Sequence, residues 1–198
     1  MASPARSIAG ALLFAVLAAC GGDAPKFRGV DITGFDYGGE IALRDTSGAK
    51  RALADYRGKV AVLYFGYMNC PDVCPTTLAA LREAMAQLGA DAGRVQVLFV
   101  TVDPERDTPA LLAQYVKSFD PRFQGLTGSV EEIGAAAKQF KIFFAKSPGK
   151  EPGSYSVDHS TQTYLIDPTG RARIFLKHDA TPADFAQDIR TLLAQAKG

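Results

Sequence analysis

The chain has little of what would reveal a function in bulk. Lysine and arginine number 22 against 21 acidic residues, a formal charge of +1. Nucleic-acid binders carry a basic excess or a Lys/Arg stripe; neither is present, which excludes a nucleic-acid partner. Only three cysteines occur in 198 residues, too few for a disulfide scaffold, so each must be explained by its position. Histidine is scarcer still, with only His159 and His178. No repeat or low-complexity tract interrupts the chain. The apolar run from Ile8 to Ala19 falls short of the about 20 residues a spanning helix needs. What is present is globular composition, 47% hydrophobic and 22% charged. The length suits one domain with a substantial core.

Residues 1–19 have the three-part form of a secretory leader. Arg6 supplies the positive start, Ile8 to Ala19 the apolar centre, and small residues the end. Leu17-Ala18-Ala19-Cys20 resembles the lipobox of bacterial lipoproteins. Cleavage before Cys20 leaves its sulfur to carry diacylglycerol, and acyl chains there anchor a protein to a membrane rather than span one. The predicted division is a leader over 1–19, a lipidated flexible tether over 20–29 and a folded domain over 30–198. Such a protein faces the periplasm or outer surface, where thiols tend to oxidise.

Within the domain, Asp45-Thr46-Ser47-Gly48 between two short apolar stretches predicts an N-terminal β-hairpin. Val60 to Phe65 and Val95 to Val102 are nearly unbroken apolar runs, expected as parallel strands buried on both faces. Between them Leu78, Leu81, Met85 and Leu88 fall on one helical face after Pro75. Thr108-Pro109 opens a second helix, with Leu111, Leu112, Tyr115, Val116 and Phe119 expected inward and Asp107 or Thr108 as its cap. Ser129 and Glu132 form a capping box for a third. Thr163 to Ile166 and Ala172 to Leu176 flank the turn Asp167-Pro168-Thr169-Gly170, and Thr181-Pro182 starts a last helix. Ser147 to Gly153 reads as a surface loop inserted before this C-terminal hairpin. A βαβ unit followed by an antiparallel hairpin and closing helix fits a thioredoxin-like α/β fold.

Cys70-Pro71-Asp72-Val73-Cys74-Pro75 sits between the first long strand and the first helix. One helical turn separates i from i+4, so both sulfurs can converge on one point. At a helix N-terminus, unpaired N–H groups and the dipole favour thiolates, which are both nucleophiles and metal ligands. His159 follows the inserted loop and is expected to face the cysteines, whereas His178 is expected in solvent. Two thiolates and an imidazole suit Cu(I), or Cu(II) with an added ligand. Zinc would want a fourth donor, which Asp103 or water can supply, so zinc stays open.

Tyr64-Phe65-Gly66-Tyr67, the cysteine segment, Asp103-Pro104-Glu105-Arg106-Asp107-Thr108 and Asp158-His159-Ser160 occur in the order found in the Sco/SenC family, which the chain resembles from about residue 30 onward. The resemblance implies a membrane-tethered, thioredoxin-like copper protein that assists assembly of the binuclear copper centre of cytochrome c oxidase subunit II. By position it implies copper ligation by Cys70, Cys74 and His159, with Asp103 as a nearby acidic group beside the site or facing a partner. Other copper chaperones or thiol reductants are implied as further partners. One departure is Asn69, where many members have a histidine that is not a copper ligand. The alternative is a thiol–disulfide oxidoreductase in which Cys70 and Cys74 reduce the partner's cysteines. A peroxiredoxin-type peroxidase is disfavoured by Tyr67, which stands where those enzymes carry Thr or Ser.

Overall fold

The computed structural model describes residues 26–196. The predicted leader, Cys20 and the chain up to residue 25 fall outside the described residues. From the N-terminus come β1 (Val30–Asp31), β2 (Leu43–Asp45), β3 (Lys50–Arg51), β4 (Val60–Gly66), α1 (Val73–Leu88), β5 (Val95–Thr101) and α2 (Pro109–Phe119). Then follow β6 (Gln124–Thr127), α3 (Val130–Gln139), β7 (Phe144–Pro148), β8 (Tyr155–His159), β9 (Thr163–Ile166), β10 (Ala172–Leu176) and α4 (Pro182–Gln195). Eight strands form one sheet in the order β1-β10-β9-β4-β5-β6-β2-β3, and β7 pairs with β8 apart from it.

The apolar runs are the two central strands. β4 and β5 are parallel, with Val60 opposite Val95 and Gly66 opposite Thr101, and β9 closes antiparallel on the other side of β4. The period-2 pleat sends Val60, Val62 and Tyr64 to one face and Ala61, Leu63 and Phe65 to the other. The first face is covered by α1, α2 and α4 through Leu78, Leu81, Leu112, Val116, Phe185 and Ile189. The second is covered by α3 through Ile133, Ala136 and Ala137. Apolar residues on both faces of a strand are what a sheet between two helical layers requires.

Local signals terminate the helices as expected. Ser129 and Glu132 cap α3 reciprocally, with Ser129 N–H donating to Glu132 Oε2 at 2.8 Å and Glu132 N–H to Ser129 Oγ at 3.2 Å. Four expectations need correction. Leu111 is 46% exposed, because only Leu112 and Val116 of α2 reach the core completely. Neither Asp107 nor Thr108 caps α2 through its side chain; Asp107 is buried and turned toward the cysteine loop instead. Residues 26–29 are not a free tether: Phe27 packs on the core, and the N–H groups of Arg28 and Gly29 each donate to Asp188 at 2.8 Å. Ser147 and Pro148 are strand residues, so the supposed inserted loop is the tip of a second hairpin, β7–β8.

Candidate metal centre

Both cysteines follow from the way β4 hands over to α1. The strand ends at Gly66, whose carbonyl accepts from Val102 N–H at 2.8 Å, and the chain then turns, with Cys70 N–H donating to Tyr67 O at 3.3 Å. Cys70 precedes the helix and is half-buried; Cys74 is already in its first turn and fully buried. Asp72 occupies the cap position without a side-chain cap bond. The Cys74 N–H, one of the donors a helix start leaves unpaired, meets the Cys70 sulfur at 3.4 Å instead. Gly66 is required here by close approach. A Cβ on it would stand 2.7 Å from Cys74 Sγ and 3.0 Å from Phe99 Cε2, so a larger residue would evict the sulfur.

The helix start does not make Cys74 a ready thiolate. Burial pushes its thiol up to about 12, against the lowering effect of a bond from the Tyr64 hydroxyl at 3.5 Å, and the neighbouring Cys70 adds to the rise. Desolvation outweighs the dipole. Among the described residues Cys70 and Cys74 are unpaired, and burial favours the protonated form of the Cys74 thiol when the pair is reduced.

His159 arrives from the other side, as the last residue of β8 opposite Phe144 of β7. Its Nδ1 lies 2.8 Å from the Ser160 carbonyl, which can only accept, so the proton sits on Nδ1. Nε2 is left as a lone-pair donor 3.5 Å from Cys74 Sγ. Burial lowers the imidazole's pKa, so it stays neutral at pH 7, against smaller opposing effects of the Ser160 carbonyl and Asp158. The Tyr67 ring meets the imidazole edge-on at 5.7 Å and the Tyr64 ring at 6.4 Å, fixing its plane. One donor atom each from Cys70, Cys74 and His159 lie within 4.8 Å of one another, the span of a single ion's ligand shell. His178 is exposed, away from this cluster.

A polar clamp in the β5–α2 loop holds the two halves in register. Asp107 accepts from Thr101 Oγ1 at 2.6 Å and from Met68 N–H at 3.1 Å, tying the cysteine loop to β5. Asp103 accepts from Tyr155 Oη at 2.8 Å and pairs with Arg106. Arg106 also donates to the Tyr155 carbonyl at 2.8 Å and stacks 3.6 Å above its ring. Lys146 of β7 pairs with Glu105 at 2.7 Å. Asp103 is thus 1% exposed and has its oxygens occupied, which argues against the partner-facing role and against a fourth ligand. It acts on the site by placing the strand that carries His159. Tyr64, Tyr67, Arg106, Asp107 and Tyr155 were not singled out from sequence as parts of the site. Arg106 and Asp107 stood in a segment already noted, and an aromatic followed by Gly66 beside the cysteines was the available signal for the tyrosines.

The family model SCO1/SenC matches residues 31–194. The Bos taurus protein SCO2 homolog, mitochondrial, is 46% identical over 134 residues, 67% of this chain and 50% of that protein. This chain therefore spans about half the length of that relative. Among solved structures, copper-bound ScoI of Bradyrhizobium japonicum aligns with a TM-score of 0.73 at 38% identity, covering 79% of this chain and 99% of that one. A SCO1/SenC family lipoprotein of Bacillus anthracis aligns with a TM-score of 0.70 at 26% identity, covering 86% and 99%.

Proposed function

The chain belongs to the SCO1/SenC family, and from that premise we propose that it is a copper metallochaperone. Copper is the cargo, held by Cys70 Sγ, Cys74 Sγ and His159 Nε2 and passed to the binuclear centre of cytochrome c oxidase subunit II. The convergence of these three atoms within 4.8 Å carries the reading. Two sulfurs with one neutral imidazole form a soft donor set of low coordination number, which favours copper over zinc, since among the described residues no carboxylate joins them. Cys70 is the more accessible sulfur, so a partner's thiolate displaces it first, while Cys74 and His159 hold the ion until the exchange is complete. The Cys20 sulfur carries the lipid anchor, placing the domain on the outer side of a membrane. A family lipoprotein among the structural neighbours supports that assignment, and among the described residues no helix is long and apolar enough to cross a bilayer.

Anaerobic Cu(I) and Cu(II) titration of the protein tests the site. One copper per chain is expected, lost in Cys70→Ser and Cys74→Ser and much weakened in His159→Ala. The competing reading, reduction of the partner's disulfide with Cys70 as attacking sulfur, rests on the exposure difference between the two cysteines. It does not need the imidazole. Binding indifferent to His159→Ala, with disulfide exchange intact, would favour it.

A further inference from the structure

The path of residues 26–30 fixes where the tether meets the domain. Val30 of β1 lies opposite Phe175, Phe175 opposite Tyr164, and Tyr164 opposite Leu63 of β4. At about 4.8 Å per strand, Val30 is roughly 14 Å across the sheet from Leu63. β1 runs antiparallel to β10, so the chain preceding Val30 passes Leu176 toward the end of the sheet where β4 gives way to the cysteine loop. A second observation agrees. Gly29 and Arg28 bond to Asp188, Arg28 Nε bonds to Gln187 at 2.9 Å, and both partners lie in the first two turns of α4, which starts at that same end.

The attachment is rigid and the remaining reach is short. Asp188 is fully buried and holds two backbone N–H groups, and Phe27 packs on the core. From Cys20 to Lys26 the chain can extend at most about 22 Å. The exposed groups around the entry point are Lys26, Arg28, Lys177 and His178, with Asp179 and the partly buried Asp184 as the acidic members. Arg28 lies 3.9 Å from Asp184, so Lys26 and Lys177 supply the positive charge available to lipid headgroups.

We propose that the pole bearing Cys70, Cys74 and His159 faces the lipid surface, so that the metal is exchanged within a few tens of ångströms of the bilayer. The fitting partner is a membrane-embedded acceptor whose ligands lie beside the headgroups, rather than one that presents them far out in the aqueous phase. The inference rests on the lipid anchor at Cys20 proposed above.

The chain contains no tryptophan, so single introduced tryptophans are clean reporters. Full-length, metal-free, lipidated protein is bound to phosphatidylglycerol–phosphatidylethanolamine vesicles carrying a dansyl headgroup, and energy transfer is measured. Asn69→Trp lies at the metal pole and Lys59→Trp at the opposite pole, just before β4; both positions are exposed. Asp179→Trp, at the same end as Lys177 but outside the headgroup-binding charges, and Gly93→Trp form a second pair of exposed positions should either of the first fail to fold. Transfer several-fold greater from the metal-pole member is expected. Equal or greater transfer from the far pole, with the protein floating on vesicles, overturns the orientation and leaves the anchor standing. Protein that does not float with the vesicles overturns the anchor and the orientation with it.

Discussion

The three donor atoms come from two regions built in different ways. The cysteines stand where β4 passes into α1, over a core of fully buried side chains such as Tyr64, Leu78 and Phe99. His159 stands at the end of a two-stranded hairpin outside the main sheet, whose strands bury a single residue, Val157. The first region is positioned mainly by close packing, with one bond from Met68 N–H to Asp107, and the second mainly by directional polar contacts to the β5–α2 loop, with the Tyr64 and Tyr67 rings against the imidazole. Packing resists displacement in every direction, whereas a set of hydrogen bonds and one stacked guanidinium can loosen together. The sulfur pair is therefore the rigid half of the centre, and the imidazole the half whose placement can be tuned.

The largest expected effect sharpens the contrast inside the rigid half. With its thiol pushed up to about 12, Cys74 holds far less thiolate at pH 8 than an ordinary cysteine, and even after the greater nucleophilicity of a more basic sulfur it should be alkylated at least about tenfold more slowly. Mass spectrometry after timed iodoacetamide treatment of metal-free protein reads this directly; rapid modification of Cys74 in the native state would contradict its burial. The same shift has a consequence for stability. Between about pH 9 and 12 the folded state keeps a proton the unfolded chain has lost, so stability falls as pH rises through that window. In denaturant titrations Cys74→Ser should remove the part of that slope below about pH 10, and leave above it the part that buried Tyr56, Tyr64 and Tyr164 and the partly buried Tyr115 contribute with the same sign.

The second test breaks the packed region. Leu81 of α1 is 1% exposed in the core beneath the cysteines, and Leu81→Ala should cost about 2–5 kcal/mol. In a domain of this size that lowers Tm by roughly 5–15 °C, measured by calorimetry. The third breaks only the hairpin's clamp. Tyr155→Phe keeps the ring beneath the Arg106 guanidinium and leaves Asp103 paired with Arg106, but removes the hydroxyl that ties β8 to Asp103. Copper affinity should fall on the order of tenfold, with Tm nearly unchanged and amide exchange faster in β7 and β8. A fall in Tm as large as that of Leu81→Ala would mean that the hairpin is as integral as the core and would dissolve the comparison.

Sequence was informative where chemistry is local. Continuous apolar runs announced β4 and β5, the Ser129–Glu132 pair announced α3, and the cysteine spacing announced the sulfur pair, with His159 joined to it by what the family resemblance implies. The β7–β8 hairpin was hidden because Pro148, Gly149, Pro152 and Gly153 read as loop punctuation, and its exposed strands lack alternation strong enough to outweigh them. Leu111 misled because helical periodicity cannot locate the edge of the packed stripe. Asp107 misled because an acid just before a helix is ordinarily a cap, and only the fold shows that Met68 N–H is within its reach.

The residue types of the centre, the strand-to-helix position of its sulfurs and the α/β class are consequences of pattern along the chain, since hydrophobic period and turn chemistry act over a few residues. The protonation of Cys74, the tautomer of His159 and the end of the sheet at which the N-terminal segment arrives belong to the tertiary structure. They depend on desolvation, on a carbonyl supplied at a fixed distance, and on strand register summed across β1, β10, β9 and β4. None of these is set until segments far apart in sequence have packed together.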